Sequence, residues 1–214
     1  VGFFSAGPKP VISVLKMSAA HIAIASVVVK GAMSAAVSVK VHADASAFKA
    51  GATASMTIGN ECVSEMGAIL RYLASTVKGG HPTLYPTELR LKCDELIEWC
   101  VRVLADSVAV PNGAAEVLKS LEAFLAANAK MGDTIAGACA GAILEQGKVE
   151  GLSAAVAQML KGWRQVADWS AAAEGRAVQQ TAPGGKQQKG KGSGKPAPAK
   201  DAKKGDDKTK GDPA

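Results

Sequence analysis

Residues 67–75, GAILRYLAS, decide the reading of this chain, approached through IGNECVSEM (58–66) and left through TVKGGHPTLYPTEL (76–89). Gly59-Asn60 predicts a turn and the residues after it a short strand. Ser64 is placed to cap a helix of residues 65–77 in which Ala68, Ile69, Leu70, Tyr72 and Leu73 form the apolar side. Gly79-Gly80 stops that helix, and Pro82 keeps it from resuming. The stretch is therefore a strand–turn–helix unit.

Working outward toward the N-terminus, SMTIGNECV (55–63) reads as a hairpin about Gly59-Asn60. Residues 43–55 are small and weakly patterned, a loop with one helical turn near Phe48. Before it, AAVSVKVH (35–42) alternates Val37, Val39 and Val41 with Ser38, Lys40 and His42, the period of a half-buried strand. Ser18 is placed to cap a helix running to about Ala32, whose Ile22, Ile24, Val27, Val28 and Val29 require enclosure. PVISVLKM (10–17) is a β-branched apolar cluster and reads as a buried strand. The predicted order is βαβββα.

Toward the C-terminus, Leu89, Cys93, Leu96, Ile97, Cys100, Leu104 and Val108 fall along one helical stripe, which Val110-Pro111-Asn112-Gly113 breaks. A second amphipathic helix is predicted over 114–129, with Val117, Leu118, Leu121, Phe124 and Leu125 inward. Asp133 and Thr134 introduce IAGACAGAIL (135–144), whose small side chains suit the centre of a bundle. Residues 152–171 form one or two further helices carrying Met159, Leu160, Trp163, Val166 and Trp169. Everything from Thr87 to this point is helical in expectation.

The wording SEMGAIL (64–70) resembles the QSNAIL segment of the glutathione-transferase fold. That resemblance implies a thioredoxin-like βαβββα half over 9–80, an all-helical half over 83–172, and a flexible linker or tail over 173–214. AILRYLA (68–74) is most similar to the non-enzymatic domains of this fold attached to eukaryotic aminoacyl-tRNA synthetases, glutamyl-type above all, and to multisynthetase scaffold proteins. GDTIAGA (132–138) resembles the family's G-x-S/T-x-A-D segment through Gly132, Thr134 and Ala136. Gly137 stands where the family has Asp, so the reciprocal half of the capping pattern is lost. LKGWRQVADW (160–169) is similar to the family's closing aromatic-basic cluster.

Several groups that the family uses to hold glutathione are changed. The resemblance places Glu65 at the acidic position opening the third helix, but Met66 at the serine and Gly67 at the asparagine. Residues 43–81 contain no proline to supply the family's cis-proline, and a cis bond elsewhere costs about 2.5–4 kcal/mol. Ser18 stands where an activating hydroxyl would be, and an N-cap is its competing role. No catalytic residue and no cofactor is expected in these 214 residues; a ligase core would lie outside them. No phosphate-binding loop, dinucleotide fingerprint or nucleophile elbow occurs.

By the same resemblance, partner docking falls on the third-helix face and the closing helices, through Arg71, Tyr72, Trp163 and Arg164; Tyr72 and Trp163 also suit the core. The partners implied are other transferase-like domains. Asp94, Glu95 and Glu98 form an acidic helix face that reads as solvated or as a further docking helix.

Charge is concentrated at the C-terminus. The net charge is +6, and residues 181–214 set nine lysines (Lys186, Lys189, Lys191, Lys195, Lys200, Lys203, Lys204, Lys208 and Lys210) against four aspartates. With no Val, Ile, Leu or aromatic after Gln180, this segment cannot offset an ordering entropy of ~1–2 kcal/mol per residue. It is either a spacer or a sequence-blind contact for tRNA phosphates.

Cys62, Cys93, Cys100 and Cys139 form no CxxC pair, and Cys93 and Cys100, seven apart on one helix face, read as reduced core thiols, which points to a reducing, cytoplasmic location. His21, His42 and His81 lack ligand spacing, so no metal is expected. The opening VGFFSAGPKP lacks a secretory leader's basic region, and its missing Met suggests a processed product or fragment. The alternatives to the synthetase reading are a tRNA-binding scaffold, a divergent glutathione transferase and the transferase-like domain of an elongation-factor γ subunit.

Overall fold

The computed structural model describes residues 8–77 and 80–166. Strand β1 (Val11–Leu15) lies inside a four-stranded sheet of order β2-β1-β3-β4. It pairs parallel with β2 (Ser38–His42), Val11 opposite Ser38, and antiparallel with β3 (Ala54–Ile58), Val11 opposite Thr57. β4 (Glu61–Val63) returns antiparallel along β3. Gly59 supplies a positive φ of 58° in the connecting turn, at little cost without a Cβ. β2 is an edge strand, and this limits its expected inward row: Val37 is buried, whereas Val41 near the far end is exposed.

Between β1 and β2 runs α1 (Ala19–Lys30), buried from Ala20 to Val29 as its unbroken apolar sequence requires. The helix carries AILRYLA as α2 (Met66–Ser75). Its cap is Glu65 rather than the expected Ser64: the two Glu65 carboxylate oxygens accept the N–H groups of Gly67 and Ala68 at 2.7 and 2.6 Å. A carboxylate answers two of the helix's unpaired N–H groups where a hydroxyl answers one, and the negative charge suits the helix N-terminus.

The helical half opens with a 3₁₀ turn (Thr87–Leu89) leading into α3 (Arg90–Trp99). The stripe of Cys93, Leu96, Ile97, Cys100 and Leu104 is buried as the period predicts. Its helix is not uniform, for Cys100–Leu104 form a π-helical turn before α4 (Ala105–Val108). α5 (Ala114–Ala127) and a 3₁₀ turn (Ala129–Asp133) lead to α6 (Ile135–Gln146), buried from Ile135 to Leu144 and packed against α1 and α3. α7 (Ala154–Val166) closes the described chain.

Thr134 caps α6, its Oγ1 accepting the Ala136 N–H. A Cβ on Gly137 would stand 2.2 Å from the Gly132 carbonyl oxygen, and that oxygen accepts a 2.7 Å hydrogen bond from Trp163 Nε1. The missing acidic residue of the capping pattern thus coincides with a backbone crossing too close for any side chain.

Candidate functional site

A cleft of about 360 Å³ lies where α1 begins, between Thr53-Ala54 of the sheet, the Ser64–Met66 corner before α2, and the helical half at Val101, Ala105 and Gln146. Its polar groups arise from helix N-termini, which leave backbone N–H groups without intrahelical partners. At the head of α1, the Ser18 hydroxyl donates to the Leu15 carbonyl (2.7 Å) and accepts the His21 N–H (3.1 Å), with 3% of the residue exposed. The adjacent Ala19 N–H donates to Gln146 Oε1 at 2.9 Å, so the end of α6 completes the cap of α1 across 127 positions of sequence. At the head of α2, Glu65 is occupied with its own helix. Gly67 is required there, since a Cβ would meet Ile97 Cγ2 at 2.7 Å and Glu65 Oε1 at 2.9 Å.

On the far side of Glu65, Arg71 ties α2 to α3. Its Nε donates to Asp94 Oδ1 at 2.7 Å and its Nη2 to Glu98 Oε1 at 2.8 Å; Glu65 Oε2 lies 3.9 Å from Nη1. Partial burial opposes the Arg71 charge, but hydrogen bonds to Glu98 and Asp94 outweigh it and hold the guanidinium above its ordinary range. Tyr85 adds its hydroxyl to the same Asp94 oxygen at 2.7 Å. Burial and the Asp94 hydrogen bond push the Tyr85 phenol up to about 12. With a quarter of its side chain exposed, Arg71 presents an edge of a satisfied network.

No protein-family model matches the chain, and no curated protein matches it. Among solved structures, the theta class glutathione S-transferase from the citrus canker pathogen Xanthomonas axonopodis pv. citri, with glutathione bound, superposes with a TM-score of 0.54 at 15% identity. The match covers 74% of this chain and 96% of that one. The apo form of that enzyme aligns with a TM-score of 0.46 at 17% identity, over 73% and 89% of the two chains.

The fold is glutathione-transferase-like.

In this fold the residues singled out by sequence separate. Arg71 sits in the carboxylate network just described, and Tyr72 is half-buried against the core. Trp163 takes the core placement: 1% exposed, it donates to Gly132, and Lys30 Nζ lies 4.1 Å from its ring centroid, so no ring face is left for a partner. Arg164, one residue on, is exposed and ion-paired with Glu145. The acidic face of α3 is divided, Asp94 and Glu98 bonding to Arg71 while Glu98 also pairs with Arg102.

Cys93, Cys100 and Cys139 are buried free thiols, whereas Cys62 is exposed. Among the described residues no group of three His, Cys, Asp or Glu side chains is arranged to hold a metal, and no helix is long and apolar enough to cross a membrane. Trp169 and the nine tail lysines, Lys186 to Lys210, lie outside the described residues. The sequence reading missed Gln146 and Tyr85. Gln146 has no local signal, whereas Tyr85 stands beside Pro86 in a segment read only as a helix terminator.

Proposed function

We propose that this chain is a non-catalytic, transferase-like interaction domain of an aminoacyl-tRNA synthetase, glutamyl-type favoured, which docks with other transferase-like domains in a multisynthetase complex. The observation that carries the non-catalytic half of this reading is the engagement of polar groups at the heads of α1 and α2. The Ser18 hydroxyl, the Ala19 N–H and the Glu65 carboxylate are all bonded within the chain. Activating a thiol requires a donor free to meet the developing thiolate. A hydroxyl that already donates to the Leu15 carbonyl would have to give up that bond, a net loss of about 0.5–1.5 kcal/mol.

The docking half rests on the AILRYLA wording and on two ion-paired arginines that reach the surface, Arg71 on α2, a quarter exposed, and Arg164 on α7. Residues 186–210 add nine lysines that would raise local tRNA concentration by sequence-blind phosphate contact. The test is co-purification from source-cell lysate with the full chain as bait. Other synthetases or their scaffold are expected, and the Arg71→Glu, Arg164→Glu double variant is expected to lose them. Recovery by the double variant equal to that of the parent overturns the surface assignment.

A second reading, a divergent glutathione transferase, draws support from the cleft itself, which lies at the head of α1 and has room for a small ligand. It requires a ligand that displaces Gln146 from Ala19. Thiol-conjugating activity that rises in Gln146→Ala would favour it.

A further inference from the structure

The seam between α3 and α6 holds a feature that neither reading uses. Cys93 Sγ lies 3.5 Å from Met131 Sδ, just before α6. At the other end, a Cβ on Gly147 would stand 3.0 Å from the Val108 Cβ. These two points set α3, its π turn and α4 running parallel to α6, with small residues of IAGACAGAIL allowing close approach. Midway along this seam stand Cys100, on the π turn, and Cys139, on α6, both fully buried. Cys100 opens the π turn, where the Ala105 N–H reaches back to the Cys100 carbonyl in place of an α-helical bond. Such turns are points of local give in a helix.

We infer that Cys100 and Cys139 are a redox-closable pair, forming a buried disulfide that fastens the π turn to α6 when the protein meets a small-molecule disulfide. One cysteine thiolate attacks the small disulfide and expels a thiolate, giving a mixed disulfide. The second cysteine attacks the protein sulfur of that bond and expels the second thiolate. In sum, two protein thiols are oxidised to one disulfide and the small disulfide is reduced to two thiols.

Closure draws the sulfurs to about 2.05 Å. The seam borders the cleft, since Val101 and Ala105 line it from one side and Ile143 and Gln146 from the other. The staple therefore fixes the cleft's width. Burial pushes the Cys100 thiol well up, as does the neighbouring Cys139. Attack thus proceeds through a locally opened state, slow in buffer and faster in urea below the unfolding transition.

The test uses the full chain carrying Cys62→Ala, which removes the exposed thiol. It is incubated with glutathione disulfide across a series of sub-denaturing urea concentrations, quenched with N-ethylmaleimide and mapped by peptide mass spectrometry. The expected product joins Cys100 to Cys139 and leaves Cys93 alkylated. Its melting midpoint rises by several degrees, and a reductant reverses the rise. Cys93→Ser keeps the product; Cys139→Ala abolishes it, and Cys100→Ala serves should that variant fail to fold. Comparable yields of pairs containing Cys93, glutathionylated chains alone, or a disulfide formed only beyond the unfolding midpoint would overturn the inference.

Discussion

Replacing Gly137 with aspartate restores the residue that the transferase-like pattern carries there, and local rules say that α6 should gain. Leaving glycine contributes about 1 kcal/mol, and an acidic side chain in the first helical turn about 0.3–1 kcal/mol. The structure reverses the sign. A Cβ at this position would lie 2.2 Å from the Gly132 carbonyl oxygen and 2.6 Å from its carbon, and the oxygen is held by the Trp163 indole. Forcing the two backbones apart costs about 1–3 kcal/mol as overpacking, and disturbing the indole bond about 0.5–1.5 kcal/mol more. The reciprocal cap would gain nothing, because the Thr134 N–H already donates to the Met131 carbonyl at 3.2 Å.

Gly137→Ala is thus expected to lose about 1–2 kcal/mol and Gly137→Asp more, with a carboxylate pressed against a carbonyl. Urea denaturation followed by far-ultraviolet circular dichroism reads both. In a Trp163→Phe background Gly132 loses its tether, so the penalty of Gly137→Ala should shrink by about 1 kcal/mol. A Gly137→Asp protein as stable as the parent, or more so, refutes the account of this crossing.

Three further outcomes follow from the same geometry. Arg71→Ala leaves Asp94 and Glu98 facing each other without their shared cation and should cost about 1–2 kcal/mol in a denaturation series, with Arg71→Lys recovering only part because its single amine cannot span both carboxylates. His21 is buried, its Nδ1 accepts the Met17 N–H, and desolvation, followed by the nearby Lys16 charge, holds its pKa below 6.5. The folded state therefore takes up its proton later than the unfolded chain, and stability should fall as pH drops below about 6.5, a loss that His21→Gln removes from the pH profile. Tyr85 has the opposite sign: its phenol is held neutral to about 12, so stability is full below about 10 and declines as pH rises toward 12. Ultraviolet titration of a Tyr72→Phe protein should show a single late phenolate transition.

Periodicity carried most of the fold. The alternating valines before His42, the apolar run after Ser18 and the seven-residue return from Cys93 to Cys100 each place side chains by the repeat of their own backbone, and each segment adopted the predicted element. What escaped was decided across distance. Glu65 displaces Ser64 as the cap of α2 because two N–H groups and Arg71 together favour a carboxylate. Gln146 reaches Ala19 only because α6 ends beside the head of α1, and a separation of 127 positions leaves no local trace of that meeting. The π turn at Cys100 does not interrupt the apolar stripe, so the pattern gave no warning of it. Trp163 and Arg164 looked alike as members of an aromatic-basic cluster, yet neighbouring positions on a helix differ by about 100°. One therefore entered the core while the other stayed in solvent.

Polar groups at the heads of α1 and α2 are bonded within the chain, and the proposed function requires that they hold no glutathione. Calorimetric titration of the full chain with reduced glutathione tests it most directly. No saturable heat is expected up to millimolar concentration, for the parent and for Ser18→Ala alike. Stoichiometric binding that Ser18→Ala or Glu65→Gln abolishes would contradict it and mark the cleft as a working transferase site.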